Sequence, residues 1–239
     1  MANSRIDRSG RGVGAGLMLA AVALLVTMTA CKPRPAARVT VQTAVAPAGS
    51  TAYRVDGSAS MLRFYLHADG PMARVGHTHV ISARELEGDV WLQSQPERSA
   101  CQLRLPVAAF IVDDPNERAA AGKEYAEPLD VSAREGTRTH MLSERQLDAT
   151  RFPSIAMRCV KLTPTGAGLT LQMAVTLRDR ETTLTVPLQW ENQDGTLRAS
   201  GEFSFKQSEL GLEPYSLLLG ALRVADEVHA RFELVARKS

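Results

Sequence analysis

The chain of 239 residues has few aromatic residues, little net charge and only three cysteines. Aromatic residues make up 5% of it, and the formal net charge is +2. Three arginines and one aspartate among residues 1–30 account for this small excess, so the rest of the chain is neutral. Nothing in this balance suggests a nucleic-acid partner, which would need a basic face. A neutral domain also provides no overall electrostatic attraction to anionic lipids.

Sequence motifs of common enzymes are absent as well. There is no Gly-x-Ser-x-Gly, no His-Glu-x-x-His and no phosphate-binding loop. Asp113 and Asp114 form a carboxylate pair before Pro115. Such a pair could raise the pKa of one member for acid–base catalysis, but aspartate before proline more often begins a turn. We therefore expect a turn here and no enzymatic activity.

The N-terminus has the pattern of a secretory signal. Basic residues within 1–11 precede an apolar segment from Val13 to Thr27, and small residues lead into Cys31. This ending resembles the bacterial lipobox, which implies a signal peptide over residues 1–30 and a lipid on Cys31. An uncleaved transmembrane anchor is the alternative, because the apolar segment approaches the length that spans a bilayer.

Residues 31–50 combine the proposed lipidated cysteine with a flexible linker rich in proline, alanine and threonine. Lys32 follows the cysteine where a retention signal would place aspartate, which favours the outer membrane over the inner one by resemblance to lipoproteins in general. The domain would then face the periplasm of the cell envelope. If Cys31 carries lipid, Cys101 and Cys159 remain as either a disulfide or two buried thiols.

The rest of the chain, residues 51–239, forms one predicted domain dominated by strands. Alternating apolar and polar residues occur near 62–67, 102–107, 155–158, 169–177, 184–190, 197–205 and 224–234. Antiparallel strands with one buried face produce this period of two. Turn residues separate the runs, and no βαβ rhythm is present. The pattern predicts an all-β sandwich or closed antiparallel barrel of about eight strands.

A segment of about forty residues, 113–152, interrupts the alternation. Ser143 and Gln146 have the spacing of a capping box, which predicts a short helix from Ser143 to about Arg151. Long insertions of this kind often cover a barrel end or line a site.

Several segments taken together resemble the YceI family of lipocalin-like β-barrel proteins from the bacterial periplasm. The resemblance lies in Tyr53 to Asp56, Leu62 to His67, Gly76 to Gly88, His140 to Ser143, Asp148 to Ile155, Val175 to Leu177 and Phe205 to Leu212. It implies a lipocalin-like barrel with a long apolar pocket for a polyisoprenoid chain or another amphiphile.

This resemblance implies a lipid-binding protein that requires no cofactor. The inward-facing apolar side chains would hold the lipid. They are Phe64, Leu66, Leu103, Leu105, Ile155, Met157, Leu171, Met173, Phe203 and Phe205. The alternation fits a filled core equally well, so a structural module that binds another protein and no ligand is an alternative.

Three histidines suggest a second alternative, a metal or haem site. Residues i and i+2 of a strand share a face, so His77 and His79 would project together as two ligands. His140 is the candidate for a third ligand, whereas parity places His67 on the solvent face. The oligomeric state cannot be derived from these patterns.

Overall fold

The computed structural model describes residues 43–166 and 168–239. The predicted signal peptide, the proposed lipid site at Cys31 and most of the linker lie outside these residues. Among the described residues, no helix is both long enough and apolar enough to cross a bilayer. The strands and α-helices are β1 Thr51–Val55, β2 Met61–Leu66, β3 Ala68–Asp69, β4 His79–Ala83, β5 Glu87–Leu92, β6 Ala100–Pro106, β7 Ile111–Val112, α1 Pro115–Ala120, α2 Val131–Leu142, β8 Ser154–Thr165, β9 Gly168–Leu177, β10 Arg180–Gln193, β11 Thr196–Lys206, β12 Ser216–Leu217, β13 Leu222–Val224 and β14 Glu227–Lys238.

Eight of these strands form a closed antiparallel barrel in the order β1-β5-β6-β8-β9-β10-β11-β14. The ring closes because β14 is long enough to pair with two strands along one of its sides. Its residues 229–233 pair with β2, and its last three residues pair with β1. The predicted eight-stranded antiparallel barrel is confirmed. A chain that begins at residue 32 retains every strand of this ring, so we expect it to fold.

Strands β2, β4 and β7 extend the barrel sheet from β14. A separate small sheet is formed by β12, β13 and β3. The barrel therefore has two different ends. The hairpin end carries the β8–β9 and β10–β11 turns. The helical end is covered by α2 and residues 143–152, whose apolar side chains Met141, Leu142 and Leu147 pack on the core.

The predicted helix from Ser143 to Arg151 is wrong, because the helix lies before Ser143. Asp130 caps the start of α2, where its side chain accepts a hydrogen bond of 2.8 Å from the Ala133 amide. Ser143 marks the end, and its hydroxyl donates to the His140 carbonyl at 2.7 Å. Asp148 has a positive φ of 47°, a left-handed conformation that a helix cannot contain.

The last part of the predicted linker lies against the barrel. The Ala44 amide donates to Gln102 Oε1 at 3.0 Å, and Gln93 Nε2 donates to the Ala48 carbonyl at 2.8 Å. Residues 44–48 are therefore fixed beside β5 and β6.

A disulfide joins Cys101 on β6 to Cys159 on β8, with the two Cα atoms 5.0 Å apart. The bond crosses two adjacent strands, and both side chains face the barrel interior. It closes a loop that contains the helical insertion and spans a sequence separation of 58 residues. A cross-link of this length restricts the unfolded chain considerably.

Replacing both cysteines with alanine is expected to lower the free energy of unfolding by about 2–4 kcal/mol, because the unfolded chain regains the entropy of that loop. Urea unfolding of both proteins measures the loss. Reduced wild-type protein is the matched control and should lose a similar amount. An unchanged unfolding midpoint in the double variant would contradict this account of the disulfide.

Candidate functional site

A cavity of about 310 Å³ runs through the interior of the barrel. Its lining comes from the inward-facing side chains of the barrel strands and of β2 and β4, together with residues of the helical end. All ten residues predicted to hold a lipid line this cavity. They are Phe64, Leu66, Leu103, Leu105, Ile155, Met157, Leu171, Met173, Phe203 and Phe205.

The barrel interior is hollow over part of its length. Met157, Met173 and Phe203 face inward and line the cavity, yet they are only half-buried. Leu105 and Leu171, on the same inward face, are buried. The side chains therefore fill part of the interior and leave a narrow space. This arrangement differs from the filled core that the alternating pattern also allowed.

Phenylalanine rings form a continuous wall beside the cavity. Phe110 contacts Phe64 with ring centroids 5.9 Å apart, and Phe64 contacts Phe205 at 6.3 Å. Phe203 lies 6.0 Å from Phe205 and 6.5 Å from Phe232. The rings in most of these pairs meet edge to face, a favourable geometry for aromatic side chains. The wall is apolar, so it suits contact with a hydrocarbon chain.

Polar groups enter the cavity lining at its two ends. Gln146 and Gln207 lie at the helical end, and Ser99 lies towards the hairpin end. Gln146 Nε2 donates to the Glu213 carbonyl at 2.7 Å, and Gln207 Nε2 donates to the Ala225 carbonyl at 2.8 Å. These bonds orient both side-chain amides. No charged side chain is among the residues that line the cavity in the described parts of the chain.

The sequence did not reveal these polar positions. Gln146 was assigned to a capping box, but its amide instead bridges to residue 213. Gln207 has the parity of Phe203 and Phe205, but it lies just beyond the alternating run, which ended at residue 205. Trp190 and Ala199 also line the cavity, and their inward parity on β10 and β11 was the signal for them.

The helical insertion is attached to the barrel through a buried carboxylate, Asp113. Its Oδ1 accepts hydrogen bonds from the Val80 amide at 2.8 Å and from Arg118 Nη1 at 2.7 Å. Its Oδ2 lies 2.7 Å from His79 Nδ1. Arg118 also donates to the carbonyls of Thr78 and Glu127. Asp113 is completely buried, so this group of contacts forms an internal anchor for α1.

Opposing effects act on the pKa of Asp113. Burial alone would raise it, because a charged carboxylate is poorly solvated inside a protein. Hydrogen bonds from His79, the Val80 amide and Arg118, together with the charge interaction with His79, outweigh burial and lower the pKa below its ordinary value. The carboxylate is therefore ionised at neutral pH. The turn that was expected at this position is instead an N-cap at Asp114, whose side chain accepts from the Asn116 and Glu117 amides.

The three histidines of the predicted metal site have separate surroundings. Strand β4 begins at His79, so His77 lies outside the strand and the shared-face argument fails. His79 contacts Asp113, whereas the His140 ring packs on Tyr215 with centroids 4.7 Å apart. His67 Nε2 lies 3.0 Å from Glu124 Oε1. Residues 43–166 and 168–239 contain no group of three His, Cys, Asp or Glu side chains placed to hold a metal ion.

Two solved structures are similar to this barrel. BcnA of Burkholderia cenocepacia has a TM-score of 0.55 at 17% identity, with 76% of this chain and 98% of that chain covered. A polyisoprenoid binding domain from Saccharophagus degradans has a TM-score of 0.51 at 11% identity, with 79% and 99% covered. At such identities the likeness shows a common fold. No curated protein sequence matches the chain.

The match to a family model covers most of the barrel. The model of the YceI-like domain matches residues 53–236, from the middle of β1 to two residues before the end of β14. The matched range lies within the domain predicted at residues 51–239 and includes the helical insertion. The chain therefore belongs to the YceI-like family.

Proposed function

We propose that the protein binds the apolar tail of an isoprenoid or a similar amphiphilic lipid inside its barrel. The observation that carries this proposal is the narrow cavity of about 310 Å³ whose lining contains no charged side chain. This volume is at the lower end of the range for ligand sites, about 300–1,000 Å³. A space of that size inside eight strands suits one slim chain.

The role of each part of the cavity follows from its chemistry. The phenylalanine wall and the methionines Met157 and Met173 contact the tail, since methionine adapts to flexible ligands. The oriented amides of Gln146 and Gln207 meet the polar end of the lipid at the helical end. Membership of the YceI-like family, together with the solved domain described as polyisoprenoid binding, supports a binding protein with no catalytic activity.

We propose further that the protein acts in the cell envelope, attached to the outer membrane through a lipid on Cys31. The Cys101–Cys159 disulfide supports export, because such bonds persist in oxidising compartments and are rare in the cytosol. The segment before residue 43 would tether the barrel and leave its ends accessible. The partners in this proposal are the lipid ligand and the membrane.

Native mass spectrometry tests the binding proposal. Protein starting at residue 32 is exported to a bacterial periplasm by a separate cleavable signal and purified without detergent. We expect an adduct with the mass of an isoprenoid or a fatty chain, released on denaturation. A bare polypeptide mass that persists after incubation with a polyprenyl alcohol would refute the proposal, and a metal or haem adduct would also count against it.

A further inference from the structure

Two neighbouring loops carry an exposed apolar surface at the helical end of the barrel. The loops are residues 70–76 and 217–221, and we call them the apolar tip. They are joined by a hydrogen bond of 2.9 Å from the Met72 amide to the Ala221 carbonyl. The tip exposes five large apolar side chains to solvent. These are Met72, Val75, Leu217, Leu218 and Leu219.

The backbone of the tip turns its leucines outward. Leu218 and Leu219 have positive φ angles of 51° and 57°, a left-handed conformation that favours glycine and asparagine. Leu219 is fully exposed. Exposed leucines in this conformation add no packing to the fold, so their apolar surface is available for contact outside the chain. Contiguous exposed apolar surface of this kind marks contact with a protein or a membrane.

The charges around the tip distinguish between these two partners. Residues 70–78 and 214–224 contain no aspartate or glutamate. Arg74 and His77 are exposed there, and Arg223 is paired with Asp69. The chain after residue 30 is neutral overall, yet this surface combines apolar side chains with the positive charge of Arg74, which has no acidic partner among the described residues. That combination is complementary to a bilayer that has anionic headgroups over an apolar interior.

The position of the tip connects it to the cavity. Leu66 lines the cavity, and Ala68, two residues further along, belongs to the small sheet that bears the tip. Gln207 and Leu212 line the cavity a few residues before the loop of residues 217–221. The tip and the polar groups of the helical end therefore lie at the same end of the barrel. A tip held against a bilayer would therefore bring this end of the cavity close to the membrane.

We propose that the apolar tip inserts into the surface of an anionic bilayer and places the helical end of the cavity against the membrane. This inference rests on the proposed lipid-binding function, because transfer of a lipid would be the purpose of the membrane contact. The contact itself depends only on residues 70–76 and 217–221. It is separate from any attachment through Cys31, because those loops are remote in sequence from the N-terminus.

Vesicle flotation tests the insertion. Protein starting at residue 32, without the lipid anchor, is mixed with vesicles of phosphatidylcholine alone or with about one third phosphatidylglycerol. We expect flotation mainly with the anionic vesicles. The double variant Leu218→Asn, Leu219→Asn should bind at least tenfold more weakly, while asparagine keeps the left-handed backbone. Arg74→Glu should remove the preference for anionic vesicles.

A matched control removes exposed apolar side chains elsewhere. Val131 on α2 and Val160 on β8 are also exposed, so Val131→Asn, Val160→Asn removes exposed apolar side chains outside the tip. This control should float like the wild type. Equal flotation of the tip variant and the wild type would overturn the inference. A lower oligomeric mass of the tip variant, with flotation unchanged, would instead identify the tip as a contact between two copies and also overturn it.

The two proposals can fail separately. Flotation without a lipid adduct in native mass spectrometry would support the membrane contact and refute the proposed lipid binding. An adduct without flotation would refute the tip proposal alone. The tip variant itself should retain the adduct, since neither leucine lines the cavity.

Discussion

Ala199→Trp is expected to weaken lipid binding strongly. Ala199 lies on β11, opposite Leu234 of β14, and its side chain lines the cavity. An indole ring at this position would occupy space that the ligand needs and would leave the strand pairing intact. We expect lipid affinity to fall at least tenfold, which corresponds to about 1.4 kcal/mol. Native mass spectrometry of protein loaded with a polyprenyl alcohol measures the adduct.

The neighbouring residue provides the matched control for this substitution. Ser200 follows on the same strand, is exposed on the outer face and pairs with Glu233. Ser200→Trp adds the same ring outside the barrel and should leave the adduct unchanged. Chemical denaturation checks that both variants fold, since overpacking an interior position costs about 1–3 kcal/mol. Full retention of the adduct by folded Ala199→Trp would contradict a ligand in this cavity.

Asp113→Ala is expected to cause a large loss of stability. The substitution leaves the Arg118 guanidinium without its counter-charge, although its side chain is only 4% exposed. Removing one partner of a buried ion pair costs about 3–5 kcal/mol. The Val80 amide and His79 Nδ1 also lose their acceptor. Urea unfolding measures the change.

Asp114→Ala is the control for the loss of Asp113, because it removes an adjacent aspartate with a local role. Its side chain caps α1, and losing an N-cap costs about 1 kcal/mol. The double variant Asp113→Ala, Arg118→Ala should be less destabilised than the sum of its two single variants, since neither charge is then left alone. Equal effects of Asp113→Ala and Asp114→Ala would show that the buried pair contributes little.

Acid should weaken the same anchor. The pKa of Asp113 is lowered in the folded protein, so its contribution to stability is complete above the unfolded pKa of about 3.9. That contribution is lost as the pH falls through the folded pKa, because the unfolded chain binds the proton more readily. Asp113→Asn, which cannot ionise, should show a smaller loss of stability between pH 5 and pH 2 than the wild type.

Strand parity allowed the sequence to predict which side chains face the barrel interior. Phe203 and Phe205 alternate with polar neighbours, and a period of two places both in the interior whatever the exact barrel order. The ten cavity residues follow from that rule alone. The rule fails where a strand begins, and this is why His77 was paired incorrectly with His79.

Contacts between distant segments could not be predicted in this way. Asp113 has the local sequence of a turn residue, and its burial depends on Val80 of β4 and Arg118 of α1 lying around it. Ser143 fits the start of a helix as well as the end of one, because serine caps helices through local hydrogen bonds. Asp130 decides between these possibilities by capping a helix twelve residues earlier in the chain.

The hollow interior should make the empty protein sensitive to hydrostatic pressure. Apolar cavities stay dry, so the folded chain encloses volume that water would fill after unfolding. Compression therefore favours the unfolded state, and the volume decrease on unfolding scales with the enclosed void. A bound hydrocarbon chain occupies the same space without water. The loaded barrel should therefore unfold at a higher pressure than the empty one. The difference between their volume changes on unfolding would measure how much of the interior the lipid fills.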